Sequence, residues 1–170
     1  MLQPNANIYL NRLRENYQYI QSKVGKAKVM AVVKADAYGH GVVETSNVLV
    51  NEGIHGFCVA LASEVRELIQ ANIQNPILHL GQISFSELHV YETGQVRCTI
   101  NSINDLQKLE EYGNKNNVIF KTHLKVDTGM GRMGIPYEDL SKVLEEISCC
   151  NKIMIEGVYS HFSNAEEKDV

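Results

Sequence analysis

The chain has 170 residues, 44% hydrophobic and 21% charged, the balance of an ordinary globular domain with enough apolar residues to bury a core. The net charge of -4, with Lys and Arg scattered along the chain, excludes the basic footprint of a nucleic-acid binder. No stretch has the length of a membrane span or the apolar core of a signal peptide, so no membrane association and a cytoplasmic location are expected.

Leu10, Leu13, Tyr17 and Ile20 recur at helical spacing and predict a helix ahead of a first strand at 29–33, VMAVV. Lys34 ends that strand and leads into ADAYGHG. Further short apolar runs predict strands at 57–61, 77–81, 97–100, 118–126 and 154–161. Ser84-Phe85-Ser86-Glu87 has capping-box spacing for a helix after the third strand. Ile103, Leu106 and Leu109, after Ser102, predict a helix that closes near Gly113. Leu140, Val143, Leu144 and Ile147 predict another, with Pro136 at or near its first turn.

Strands apolar on both faces and separated by helices belong to a parallel sheet covered by helices, so the fold class is α/β. The spacing fits a doubly wound sheet or a parallel (β/α)8 TIM-type barrel. A barrel would be incomplete here, with about six βα units, and the chain is then expected to be a piece of a longer protein.

In such folds functional residues gather at the carboxyl ends of strands. Lys34 lies there, with Tyr38 on the same loop. An ammonium at the end of a buried strand costs free energy unless it snorkels to water, is paired or is used covalently. A lysine amine desolvated there becomes a nucleophile able to hold an aldehyde cofactor as a Schiff base. After the fifth strand, LKVDTGMGRMG places Gly129, Gly131 and Gly134 at G-x-G-x-x-G spacing, the dinucleotide fingerprint. The match falls in the fifth βα unit, Pro136 separates it from the next helix, and Glu156 stands toward the start of the next strand, where it would not reach a ribose.

Arg132 in that loop suits a carboxylate or a phenolate oxygen, which a guanidinium fork meets with parallel donors. Lys125 and Asp127 alternate with Val126 and share one face. They form a solvated pair, or, if Lys125 points inward, its amine needs Asp127 or a chemical modification as its negative partner. His161 closes the sixth strand, where a histidine serves the structure or stacks on a ring. The histidines lack two-ligand spacing, so no metal site is expected. Cys58, Cys98, Cys149 and Cys150 lack metal-ligand spacing too and are expected to be reduced, partly buried thiols.

Taken together, AVVKADAYGHG, HLKVDTGMGRMG and YSHFSNAEE resemble the alanine racemase family, in that order and over essentially the whole chain. The resemblance implies the N-terminal portion, 1–170, of an α/β barrel that binds pyridoxal 5'-phosphate, the rest of the barrel and a C-terminal β domain being absent from this chain. It implies interconversion of L-alanine and D-alanine by two bases, D-alanine for peptidoglycan, and a homodimer in the full-length protein. Lys34 would carry the cofactor as an internal aldimine and act as one base. Tyr38 would hydrogen-bond the cofactor phosphate, and Arg132 would contact the phenolic oxygen and the substrate carboxylate. Lys125 matches a lysine that many members carry carbamylated, and His161 matches the histidine beside the pyridine ring. The second base, a partner-subunit tyrosine, is not in this chain, so the piece alone is expected to be inactive. Two other readings remain: a barrel that binds the cofactor without racemising, and a dinucleotide-binding domain using Gly129, Gly131 and Gly134.

Overall fold

A computed structural model describes residues 5–165, which fall in two compact units divided between Ile77 and Leu78. The first opens with α1 (Leu10–Lys23), whose buried residue is Tyr17. Ile20, on the expected apolar stripe, is 47% exposed. β1 (Met30–Val32) pairs in parallel with β2 (Gly56–Val59), Met30 opposite Gly56 and Val32 opposite Cys58. Between them lie a helical turn, α2 (Lys34–Gly39), and helix α3 (Val42–Asn51). α4 (Ala62–Gln70) follows β2 and buries Ala62, Val65 and Leu68, one apolar face at helical spacing.

All four residues of β2 are buried, as a strand covered on both faces requires. The ladder runs past the strand ends: Val33 N–H donates to the Cys58 carbonyl at 2.9 Å, and Phe57 N–H to the Pro76 carbonyl at 2.9 Å. β3 (Ile77–His79) straddles the division between the units.

In the second unit a 3₁₀ turn (Phe85–Tyr91) precedes β4 (Val96–Ile100), α5 (Ile103–Asn116) and β5 (Phe120–Asp127). A two-residue strand β6 (Ile135–Pro136), a 3₁₀ turn (Tyr137–Asp139), α6 (Leu140–Ser148) and β7 (Ile153–Tyr159) complete it. β5 pairs in parallel with β4, β6 and β7. Parallel strands alternating with helices give the α/β class expected from the sequence, and the pattern is that of an incomplete (β/α)8 barrel.

Several expectations need correction. The segment after Ser84 forms a 3₁₀ turn, and the Ser84 side chain meets Ser86 Oγ at 3.2 Å instead of capping a helix. β4, β5 and β7 are not apolar on both faces. Val96, Cys98 and Ile100 are buried on one face, whereas Arg97 and the equally buried Thr99 on the other face join a polar ladder. There Arg97 Nε reaches Glu156 at 2.7 Å, Lys121 Nζ reaches Glu156 at 3.7 Å, and the Thr99 and Tyr159 hydroxyls meet at 2.9 Å. A bulge makes this possible: Thr122 stands opposite Ile155 and His123 opposite Gly157, leaving Glu156 as the extra residue of β7.

α5 does not close at Gly113. It runs to Asn116 and ends on Asn117 in the left-handed conformation, φ 55°. Gly113 is there for close approach: a Cβ would stand 2.6 Å from Lys152 Cβ and 2.7 Å from the Val118 carbonyl oxygen. Gly113→Ala therefore loses about 1–3 kcal/mol of stability through overpacking, against a helix-propensity gain of about 1 kcal/mol. Urea denaturation checks the net loss, and a gain would refute this packing account.

Glu110, also on α5, accepts the N–H groups of Asn151 at 3.0 Å and Lys152 at 2.9 Å, and the Asn114 amide at 3.0 Å. Burial pushes its carboxyl up, but these bonds and the Lys152 charge outweigh burial and hold it below its ordinary value. Its folded value lies below its unfolded one, so its contribution to stability is complete above the ordinary 4.5 and is lost as pH falls through the folded value. Glu110→Gln should flatten that part of the acid limb of a stability-against-pH curve; an unchanged acid limb would exclude the clamp.

Candidate active site

Lys34 follows Val33, which is 2% exposed, at the carboxyl end of β1. From Ala35 to Tyr38 the backbone has φ between 52° and 56°, a left-handed turn built of residues that all carry a Cβ. Each such residue costs about 1–2 kcal/mol relative to right-handed geometry, so the turn persists only because its surroundings dictate it. Ala37 N–H donates to the Val33 carbonyl at 2.9 Å and Gly41 N–H to the Asp36 carbonyl at 3.1 Å. Asp36 Oδ1 accepts the Val42 N–H at 2.7 Å, and Glu64 Oε1 accepts the Ala35 N–H at 2.6 Å. His40 Nδ1 lies 2.8 Å from the Ala37 carbonyl, the geometry of an N–H donor there. The turn brings the Tyr38 ring back toward Lys34, whose Nζ lies 5.9 Å from the ring centre. Tyr38 is 60% exposed, so the phenol is open to a ligand.

The other site residues expected from the sequence belong to the second unit. Lys125 is 5% exposed, and its Nζ is buried without a hydrogen-bond partner among the described residues, 5.5 Å from the Tyr159 ring centre. Asp127 makes no hydrogen bond to it. Its Oδ1 instead accepts the N–H groups of Gly129 at 3.0 Å and Gly131 at 3.1 Å, and these bonds, helped by the Lys125 charge, hold the carboxyl below its ordinary value. The loop carrying Arg132 is thus anchored at its start by a carboxylate. It is anchored at its end by Gly134, φ 115°, where a Cβ would stand 3.0 Å from Lys125 Cγ.

The same loop meets the segment that carries His161. Thr128 Oγ1 lies 2.6 Å from Ser160 Oγ, which donates to the Val126 carbonyl at 2.9 Å. Arg132, Lys125 and His161 are therefore brought to one strand-end region of the second unit, while Lys34 and Tyr38 form their own pair in the first. His161 itself is exposed.

The glycine loop does not lead into a helix. Gly134 runs into β6 and a 3₁₀ turn, and Glu156 is engaged by Arg97, so the dinucleotide reading loses both its helix terminus and its acidic residue. Among the described residues no group of three His, Cys, Asp or Glu is placed to hold a metal ion, and no helix is long and apolar enough to cross a membrane. Cys58 and Cys98 are buried, which pushes their thiols up to about 11 and about 12, whereas Cys149 is exposed. A cavity of about 500 Å³ lined by Tyr17, Lys28, Glu52, His55 and Asn75 opens at the amino ends of β1 and β2, the opposite end from Lys34.

Of two residues that organise this site, Glu64 was not singled out from the sequence, and Asp127 was considered only as a partner for Lys125. Asp127 had a signal, an Asp two residues before a glycine, the signature of a local side-chain turn. Glu64 had a weaker one, three positions after Leu61, where its Oε2 accepts the Leu61 N–H at 2.9 Å and the Ala60 N–H at 2.7 Å.

A parallel βα chain with a lysine at the end of its first strand and an Asp-anchored, arginine-bearing glycine loop after its fifth belongs to the class of α/β-barrel proteins that work from strand ends. The chain is a member of the family described as alanine racemase, N-terminal domain, whose model matches residues 8–170. It is 37% identical over 166 residues to alanine racemase 1 of Caldanaerobacter subterraneus subsp. tengcongensis, covering 96% of this chain and 43% of that protein. It is equally 37% identical, over 163 residues, to alanine racemase 1 of Clostridium acetobutylicum, with 95% and 42% covered. The solved alanine racemase of Clostridium difficile 630 in complex with cycloserine superposes with a TM-score of 0.88 at 33% identity, covering 94% of this chain and 44% of that one. The chain thus spans less than half the length of the curated relatives it matches.

A buried, unpartnered ammonium costs several kcal/mol. In carbonate-free buffer Lys125→Met should raise stability by at least about 1 kcal/mol, measured by urea denaturation. A destabilised variant would show that Lys125 is already paired.

Proposed function

We propose that the protein carrying this chain is a racemase that interconverts L-alanine and D-alanine with pyridoxal 5'-phosphate, working as a homodimer in the cytoplasm and supplying D-alanine for peptidoglycan. The observation that carries the reading is the Lys34–Tyr38 pair on its left-handed turn: an amine and a phenol held together at a strand end, where an aldehyde and a phosphate need them. Membership of the family and the cycloserine bound by the Clostridium difficile relative support it.

The residues present fit the cofactor. Lys34 would hold it covalently and Tyr38 would donate to its phosphate. Arg132 would contact its phenolic oxygen, and His161 would lie beside the ring. The orphaned Nζ of Lys125 fits carbamylation, which replaces a costly buried cation with an anion able to fix Arg132. When bound, the cofactor supplies a conjugated sink for the charge left on the α-carbon. Arg132 orients the substrate carboxylate through its guanidinium fork. The Lys34 amine takes and returns the α-proton on one face. By resemblance to the family the base for the other face would be a tyrosine of the partner subunit, and under this reading the 170-residue piece alone is expected to be inactive.

The full-length protein tests it. Pyridoxal phosphate should add a visible absorbance band, and borohydride should fix the cofactor on the peptide containing Lys34. Either enantiomer of alanine should exchange its α-hydrogen with deuterated solvent. Lys34→Ala should remove the band and lower exchange by about 10²–10⁴-fold or more. A band without exchange would indicate a non-catalytic cofactor binder, and NADH binding that survives Lys34→Ala would favour a dinucleotide site.

A further inference from the structure

Glu64 makes three short bonds to backbone N–H groups; the one to Leu61 is the return bond of a helix cap, and the other two reach beyond it. Its Oε2 accepts Ala60 at 2.7 Å and Leu61 at 2.9 Å, the entry to α4 at the end of β2. Its Oε1 accepts Ala35 at 2.6 Å, 29 positions away. Ala35 is the residue directly after Lys34 and the first of the left-handed run. The carboxylate therefore joins the loops that leave two neighbouring parallel strands, at the peptide that sets the direction of the Lys34 side chain. Asp36 holds the other end of the turn through the Val42 N–H, but it lies within the same loop and cannot relate that loop to β2.

We propose that Glu64 is a positioning residue for Lys34: it fixes the left-handed turn against the end of β2 and so aims the amine. The inference rests on the racemase reading given above. A carboxylate suits the task because both oxygens accept, whereas an amide would turn an N–H₂ toward one set of donors. Aspartate at the same position keeps the charge near the first turn of α4 but withdraws it by one methylene from Ala35. Glu64→Asp therefore removes the long-range bond while leaving the local one within reach.

The experiment compares full-length holoenzyme with Glu64→Asp, Glu64→Gln and, as a control, Glu110→Gln, which removes a similar carboxylate-to-backbone clamp on α5. Both Glu64 variants should lose at least about 10-fold in kcat with KM for alanine changed less than about threefold, as expected for a misplaced reacting group. Their apoproteins should bind pyridoxal phosphate more weakly, with a shifted absorbance band, and exchange the Ala35 amide hydrogen faster. Glu110→Gln should lose thermal stability and keep kcat within about twofold. Glu64→Asp with parental kcat, or with parental Ala35 exchange, overturns the proposal. So does a loss of kcat in Glu110→Gln that follows its loss of Tm in the same proportion as in the Glu64 variants. If Glu64→Gln fails to fold, Glu64→Asp decides alone. If the parent itself shows neither the cofactor band nor α-hydrogen exchange, the racemase reading has failed and this inference falls with it, a result its unsubstituted spectrum identifies.

Discussion

Four consecutive residues with side chains do not stay left-handed by themselves, and the geometry of Lys34 depends on the contacts that hold them so. The backbone bonds inside the turn are few. Two carboxylates supply the rest, Asp36 from within the loop and Glu64 from the following βα unit. Charge-assisted bonds of this kind are shorter and stronger than neutral ones, which is why they can offset a strained conformation. The outcome is a pair of functional groups, an amine and a phenol, held near one another by strain that the fold maintains.

The second unit uses the same device with another carboxylate. Asp127 folds the glycine loop onto itself through the Gly129 and Gly131 N–H groups, and so meets the Lys125 charge only through space, without a hydrogen bond. Electrostatics and packing then conflict at Lys125: Gly134 lets the loop pack tightly on its stem, and its amine is left buried without a hydrogen bond among the described residues. A cation in that position is expensive, because no hydrogen bond from the described residues offsets its desolvation. Elsewhere on the sheet Glu156 is matched by Arg97 and Lys121. Burial pushes that carboxyl up, and the two cations outweigh burial to hold it below its ordinary value.

Much of the architecture was legible because it rests on local pattern. The apolar runs at 29–33, 57–61 and 77–81 became strands near those limits. Ser102 caps α5 through the Asp105 N–H as its sequence neighbours implied. What failed did so for tertiary reasons. Gly113 looks like a helix terminus in one dimension, yet it is the point where α5 meets Lys152. β4 and β7 read as ordinary apolar strands because the partners of Arg97 and Glu156 lie 59 residues apart. The α6 stripe was read correctly as a helix, but Leu144 remains 51% exposed while Val143 is buried.

The sequence by itself determined the chemistry on offer: a lysine closing the first strand, a tyrosine four residues on, an arginine among glycines, a lysine two residues before an aspartate. These are facts of residue order, visible wherever hydrophobic period and short motifs carry the signal. Only the tertiary structure decided how those groups are held. The handedness of the turn after Lys34, the lack of a hydrogen bond from Lys125 to Asp127, and the long reach of Glu64 to Ala35 all depend on hydrogen bonds whose partners are chosen by folding, and no periodicity along the chain encodes them.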